Sequence, residues 1–482
     1  MDNCKNFDVI IIGAGVIGCS IARELSNYKL KTAVVDKDSY VCFGGQSKAN
    51  GGIVHGGHDP NPGSLKAIFN VEGNEMYPQY CSELGVQYRT TGAFIIGFNE
   101  NEIDNLKKLR ERAIKNGVQN TEIIRREQIL EKEPNINKKA LAALSVPSCG
   151  IVDIHRLVIA LAEYSSVNNV KFFFNNNVSN LLIDKKKVTG VVTDKNKLNC
   201  SIVINCAGID AEYIMRMAGD DSFRITPRKG EYYIMDKSCN NLVTRPCFKV
   251  PTKEGKGVVV FPTINGSVIF GGNSEISKDK FDISTTKEGF KEVLSKAEEI
   301  LNNNIDLKKI ITGFSGIRAS GITGDFFIKE SDNVKGLINV AGIESPGVAS
   351  APAIAKYVLN TINEKLNMQK KDPGSIINYK ISELFKNLDT DEQKKLINEN
   401  KLFGRIICRC ENITEGDIVS AIHSPIPAIT LDALKFKTRV GFGRCQGSFD
   451  LSRTLKIISR ETGIPVSQIL KNNKNSNVII DS

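Results

Sequence analysis

Six residues near the start of the chain, GAGVIG at 13 to 18, have the spacing to hold a phosphate. Gly13 permits a tight turn, Gly15 lets a pyrophosphate approach the backbone, and Gly18 lets a helix pack closely on a sheet. Ala14, Val16 and Ile17 complete the turn and the first helical residues. Eighteen residues beyond Gly18 stands Asp36, followed by Lys37. An acid there accepts hydrogen bonds from ribose hydroxyls and repels a 2′-phosphate. The chemistry this spacing serves is the binding of a dinucleotide.

Such a turn works only between the right elements. FDVIII at 7 to 12 reads as a buried strand, CSIARELSNY carries a helical pattern, and KTAVVD reads as a second strand ending in Asp36. Strand, glycine turn, helix, strand and acid in register separate a dinucleotide site from a glycine turn in a generic α/β fold. GFGRCQG at 441 to 447 has three glycines at the wrong spacing, with no clear strand before it. A single fingerprint argues against one polypeptide holding both FAD and NAD.

Composition narrows the class. The 482 residues suggest about three domain-sized units at roughly 150 residues each. Hydrophobic residues at 41% and charged residues at 24% are those of an ordinary soluble globular protein. No apolar run approaches the ~18 residues that span a bilayer, and the amino terminus has neither a basic leader nor a cleavage site; peripheral contact with a membrane stays open. Twelve irregularly scattered cysteines suggest no disulfide framework and point to a reduced, cytoplasmic setting. The net charge of +10 comes without a motif that reads RNA or DNA, so a solvated surface is expected and no nucleic-acid partner. A mild positive field favours encounter with a small anionic substrate.

Four longer runs carry a family likeness: residues 44 to 74 (GGQSKANGGIVHGGHDPNPGSLKAIFNVEGN), 150 to 163 (GIVDIHRLVIALAE), 204 to 211 (INCAGIDA) and 342 to 355 (GIESPGVASAPAIA). They resemble the FAD-dependent D-amino-acid-oxidase-like superfamily, and within it the anaerobic-type glycerol-3-phosphate dehydrogenases and the L-2-hydroxyglutarate oxidases. The resemblance covers about residues 5 to 365 and implies FAD rather than NAD. It implies an α/β fold in which a Rossmann-like FAD-binding domain (about 5 to 85, 145 to 222 and 315 to 366) is interleaved with an antiparallel-sheet substrate domain (about 86 to 144 and 223 to 314). GAFIIGF, EYYIMD, GVVVFPT and SVIFGGN supply strands to that sheet. A lysine-rich linker at 367 to 403 leads to a small helical module at 404 to 470 and a frayed polar tail at 471 to 482.

The same runs nominate site residues. Gln46, Ser47, Asn50, Gly51 and Gly52 form a small polar stretch suited to an anionic cofactor, with a flexible loop as the bland alternative. Ala207 and Gly208 end an apolar strand where backbone meets cofactor, and the resemblance gives Val178 a backbone contact with the adenine. Gly342, Ile343, Glu344, Ser345, Pro346 and Gly347 precede an apolar helix whose amino terminus stabilises negative charge.

Oxidising a secondary alcohol takes a base for the hydroxyl proton and a clamp for the anionic end of the substrate. The resemblance puts His55 near the flavin ring; its ordinary pKa of about 6.5 suits a base, and His58 competes for the role. Arg318, in FSGIRAS, is the expected clamp, since a guanidinium fork binds phosphate or carboxylate bidentately. The family usually has proline after this arginine, where Ala319 stands here. Arg228 and Lys229 form a second cationic pair, either holding a phosphate or simply solvated.

The terminal module resembles the [2Fe-2S] domain of bacterioferritin-associated ferredoxins. The resemblance makes Cys408, Cys410 and Cys445 cluster ligands and puts the fourth at 450, where Asp450 replaces cysteine. The expected activity is FAD-dependent oxidation of glycerol 3-phosphate, with electrons passed to a partner subunit or carrier. Oxidation of a 2-hydroxy acid such as L-2-hydroxyglutarate is the alternative, an amine or amino-acid oxidase a third, and a non-catalytic flavin electron-transfer subunit the reading of another class.

Overall fold

A computed structural model describes residues 5–251, 257–302 and 305–479. VIII and TAVV are fully buried and unbroken by polar residues, the pattern of strands covered on both faces. They form β1 (Val9–Ile12) and β2 (Thr32–Val35), joined by α1 (Val16–Leu25). With β3 (Lys171–Phe173), β4 (Ile202–Asn205), β5 (Phe327–Glu330) and β6 (Leu337–Ala341) they make a six-stranded sheet in the order β3-β2-β1-β4-β6-β5. All pairs are parallel except the last. Helices Leu65–Leu84, Ile154–Val167 and Gly347–Leu366 pack with α1 in the core beside it.

The second layer is a nine-stranded, mostly antiparallel sheet. Strands Ala93–Gly97, Val259–Pro262 and Val268–Gly271 fall where the aromatic and β-branched runs predict them. One pair departs from the expected pattern: Cys247–Lys249 runs parallel to Ala93–Gly97. The longest strands of the sheet, Ile225–Met235 and Ile310–Gly321, pair along their whole length and cross towards the first sheet.

The carboxy-terminal segment is less independent than its sequence suggests. Its helices Glu415–Ile422, Leu431–Thr438 and Leu451–Thr462 bury Ile418, Leu434, Leu455 and Ile458 in a core continuous with that of the Rossmann-like layer. Arg156 donates to the Lys437 and Ser382 carbonyls at 2.7 Å each, and Lys437 forms a buried ion pair with Glu163. Residues 367 to 403 are not a bare connection either: they include helix Thr390–Glu399, bury Ile381 and Leu384, and bond Tyr379 to Glu163. The expectation of a frayed tail also fails for its described part. Asn473 donates to Asp38 Oδ1 at 2.7 Å and accepts from the Ser39 amide at 2.9 Å, while Lys471 pairs with Asp432. Its asparagines and serines find backbone and carboxylate partners, which a reading of polarity alone discounts; residues 480–482 lie outside the described residues. Among the described residues no helix is long and apolar enough to cross a membrane.

Candidate functional site

A cavity of about 1580 Å³ runs between the two sheets. That exceeds the ~300–1,000 Å³ of ordinary small-ligand pockets, as a dinucleotide with a substrate requires. One end is made of backbone. Gly13 has φ +109°, and a Cβ there would stand 2.4 Å from the Cys206 carbonyl oxygen, so only glycine fits the turn. Gly15 caps α1, and the Val16 amide donates to Ser47 Oγ at 3.0 Å, which locks the short helix Gly45–Lys48 onto the start of α1. Ala14, Val16 and Ile17 line the cavity beside them.

Asp36 sits at the end of β2 and accepts from the amides of Ala14 at 2.6 Å and Asp38 at 2.8 Å. Desolvation in the cleft, with the charge of Asp38 adding to it, pushes its pKa up to about 6. Lys37 and Lys280 both bind Asp210, at 2.6 Å each. Val178, Ala207 and Gly208 line the same end.

Further along, Gln46 donates to the Ile343 carbonyl at 3.1 Å, joining the short helix to the loop before helix Gly347–Leu366. Asn50 accepts from the Gly52 amide, and Gly51 faces the ring of Phe261 from the second sheet. Ile343, Glu344, Ser345, Pro346 and Gly347 line the cavity, and Glu344 binds Lys66 at 2.8 Å and Ser320 at 2.5 Å. Gly18, Gly52 and Gly342 stand behind the wall. Gly18 packs against the Gly13 carbonyl, Gly52 against that of Val152, and Gly342 against Phe223.

The lining contributed by the second sheet is made of side chains. Arg228 and Arg318 are direct cross-strand partners, and both line the cavity. Two like charges opposite each other cost stability unless an anion lies between them. Arg318 donates to the Asn273 carbonyl and to the Tyr232 hydroxyl, at 3.0 Å each, and Tyr232 stacks on Phe314. Gly230 makes room for this fork: a Cβ there would lie 2.4 Å from Arg318 Nη2. His55 lines the cavity, with its backbone carbonyl held by Asn70 at 2.6 Å and Asn74 at 3.2 Å. His58 is buried and borders a small neighbouring pocket that His55 also lines.

Lys229 is a correction. Strand alternation turns it away from Arg228, where it is buried and binds Asp282 at 2.8 Å, a hydrogen bond that raises its pKa. It does not line the cavity. Tyr232, the Lys66–Glu344 pair and the Asn70/Asn74 grip on His55 went unread in the sequence. Only the i, i+4 spacing of the two asparagines on one helix hinted at shared work.

In the terminal module the four nominated ligands meet as two pairs. Cys408 neighbours Asp450, and Cys410 neighbours Cys445. Burial, with Asp450 beside it adding to the effect, pushes the Cys408 thiol up to about 12. Asp450 is buried, and its Oδ2 meets no hydrogen-bond partner. Among the described residues no three His, Cys, Asp or Glu side chains converge to hold a lone ion. A [2Fe-2S] cluster takes two protein ligands on each iron, and these four residues are the ones that would hold it.

A Rossmann-like sheet with a glycine turn, roofed by a second sheet carrying two arginines, with a histidine on the loop after strand Ile53–Val54, defines a dinucleotide-dependent oxidoreductase. The comparisons make the class specific: residues 8–361 match the FAD dependent oxidoreductase family, to which this chain belongs. Residues 406–447 match the BFD-like [2Fe-2S] binding domain, a match that stops short of Asp450. The chain is 42% identical to the glycerol 3-phosphate dehydrogenase of Caloramator mitchellensis over 476 residues, 98% of each chain. It is 33% identical to the glycerol 3-phosphate oxidase of Mycoplasma genitalium, over 78% of this chain and 99% of that one. The dithionite-reduced L-alpha-glycerophosphate oxidase of Mycoplasma pneumoniae with FAD bound superposes with a TM-score of 0.74 at 29% identity, over 79% of this chain and all of that one. FAD is the cofactor, and the cleft fits it: a side-chain-free turn, a helix amino terminus and an acid at the end of β2 face one cavity.

Proposed function

We propose that the chain oxidises glycerol 3-phosphate to dihydroxyacetone phosphate and sends the electrons through its terminal module to a separate acceptor. The facing pair Arg228 and Arg318 carries this reading, because it sets two guanidinium groups opposite each other on the wall of the same cavity as the glycine turn. Bound FAD supplies the hydride acceptor. Arg318, aimed by Tyr232 and the Asn273 carbonyl, holds the phosphate bidentately, with Arg228 on its other side. His55 takes the hydroxyl proton on a ring nitrogen, its backbone fixed by Asn70 and Asn74. Phe261 and Tyr232 shut water out from the second sheet.

The cofactor residues in this reading are Gly13 to Ile17, Asp36, Lys37, Gln46, Ser47, Asn50, Gly51, Val178, Ala207, Gly208 and Ile343 to Gly347, with Gly18, Gly52 and Gly342 shaping the wall. Residues 5–366 form the oxidoreductase and 404–470 the cluster module, with Cys408, Cys410, Cys445 and Asp450 as ligands. All eleven described cysteines are free thiols, in keeping with a cytoplasmic setting.

Anaerobic bleaching of the bound FAD tests the proposal. Glycerol 3-phosphate bleaches it, and His55→Asn slows the bleaching by at least about 100-fold, the contribution of a positioned base. His58→Asn leaves the rate near that of the parent. Bleaching by L-2-hydroxyglutarate alone would reassign the arginines to a carboxylate, and bleaching by neither would leave a relay subunit.

A further inference from the structure

The surface around Cys410 and Cys445 has the makings of a docking face. Both residues are only partly buried, so the cluster they would hold lies close to solvent. Phe449, four residues beyond Cys445, is 86% exposed, and Leu451 beside it is 39% exposed. A lone exposed apolar residue needs no explanation, but this one has exposed cations before and after it in the module. Arg409 and Arg444 immediately precede the paired cysteines, and both are exposed. Arg453 and Lys456 are exposed on helix Leu451–Thr462, which begins two residues after Phe449, and at i and i+3 they share one side of it.

Few acids oppose these cations. Arg444 pairs with Asp236 at 3.2 Å, and Arg409, Arg453 and Lys456 form no ion pair with any described residue. Glu411, next to Cys410, is turned inward: it is buried and bound by Arg439, Lys237 and Lys386. The result is a positive surface with an aromatic centre beside two thiols.

We propose that this face docks a soluble, acidic one-electron carrier protein, with Phe449 as the apolar anchor and the four cations meeting carboxylates on the carrier. Aromatic residues and arginine dominate binding energy at protein interfaces, and opposed charge raises the encounter rate, which suits brief contacts. An anionic membrane would also accept an aromatic residue among cations, but lipid takes up no electrons and would cover the thiols. The inference rests on the reading that electrons leave through the module. Each alcohol oxidised to a ketone releases two electrons and two protons, so two oxidised carriers are each reduced by one electron in turn, and the protons pass to solvent.

The test uses the full-length, FAD-loaded protein with an oxidised acidic ferredoxin as probe and basic cytochrome c as control, in calorimetric titrations at low and high salt. The ferredoxin binds the parent, and its Kd weakens about 10-fold or more in Phe449→Ser and in Arg453→Glu/Lys456→Glu, and also on adding salt. FAD content and bleaching by glycerol 3-phosphate stay unchanged in the variants. The proposal is overturned if the parent does not bind the ferredoxin, if the variants bind it equally well, or if cytochrome c binds as tightly. It is also overturned if mixed phosphatidylcholine and phosphatidylserine vesicles sediment the parent but not Phe449→Ser, which would make the face a membrane contact. If the variants lose the ferredoxin while glycerol 3-phosphate bleaches nothing, the substrate reading fails and the docking face stands.

Discussion

The FAD cleft and the cluster module solve the problem of holding a redox group in opposite ways. The cleft is built from backbone: Gly13 in a conformation closed to other residues, the amides at the start of α1, and strand ends that need only be apolar. The module offers side chains instead, Cys408 beside Asp450 and Cys410 beside Cys445. A backbone-built site tolerates most substitutions and fails sharply at a few glycines. A side-chain-built site can lose one ligand and keep its fold, because the helices around it are held by buried residues of their own such as Ile418, Leu434, Leu455 and Ile458.

The sharpest break in that contrast is Gly15→Leu. A Cβ at Gly15 already lies 3.2 Å from Ser47 Oγ, and a longer side chain fills the approach to the helix amino terminus. Purified protein should lose essentially all bound FAD, read as flavin absorbance per chain, while keeping its circular dichroism; retained FAD would mean that the turn does not face the pyrophosphate. Next comes Arg318→Ala, a side-chain change inside the same cleft. Loss of two charge-assisted hydrogen bonds, ~3 kcal/mol, should slow bleaching by glycerol 3-phosphate about 100-fold at low substrate and leave FAD content unchanged. In the module, Asp450→Cys should raise the iron and sulfide retained after anaerobic purification several-fold and raise the cluster's potential, since a hard oxygen ligand favours ferric iron. No iron or sulfide in either protein would make the pairs a packing remnant.

The smallest effect concerns Asp36. Above its pKa of about 6 it is ionised and accepts hydrogen bonds; acidifying through that value protonates it, and FAD should dissociate a few-fold faster at pH 5 than at pH 7. In the apoprotein the sign reverses. A carboxyl whose pKa is raised on folding binds its proton better in the folded state, so stability falls as pH rises from about 4 to about 6. Asp36→Asn should flatten both profiles, the first followed by flavin fluorescence and the second by thermal melts.

Legibility in the sequence followed the same divide. Strand, glycine turn, helix and acid lie within residues 7 to 36, and local spacing carries the whole signal. The Arg228 and Arg318 pairing is a matter of register between strands ninety residues apart, which no local pattern encodes. Lys229 was misplaced for the same reason, since the side a strand residue takes depends on which face the cavity occupies. The grip of Asn70 and Asn74 on His55 required knowing that helix Leu65–Leu84 runs beneath that loop. The cluster ligands were nominated by family likeness, while their division into two pairs, and the partnerless Asp450 Oδ2, appear only in three dimensions.

The hydrogen bonds that join Asn473 with Asp38 and Ser39 tie the loop after Asp36 to a segment synthesised some 435 residues later. On the ribosome the glycine turn emerges early, but its neighbouring loop stays unfastened until residue 473 has left the exit tunnel.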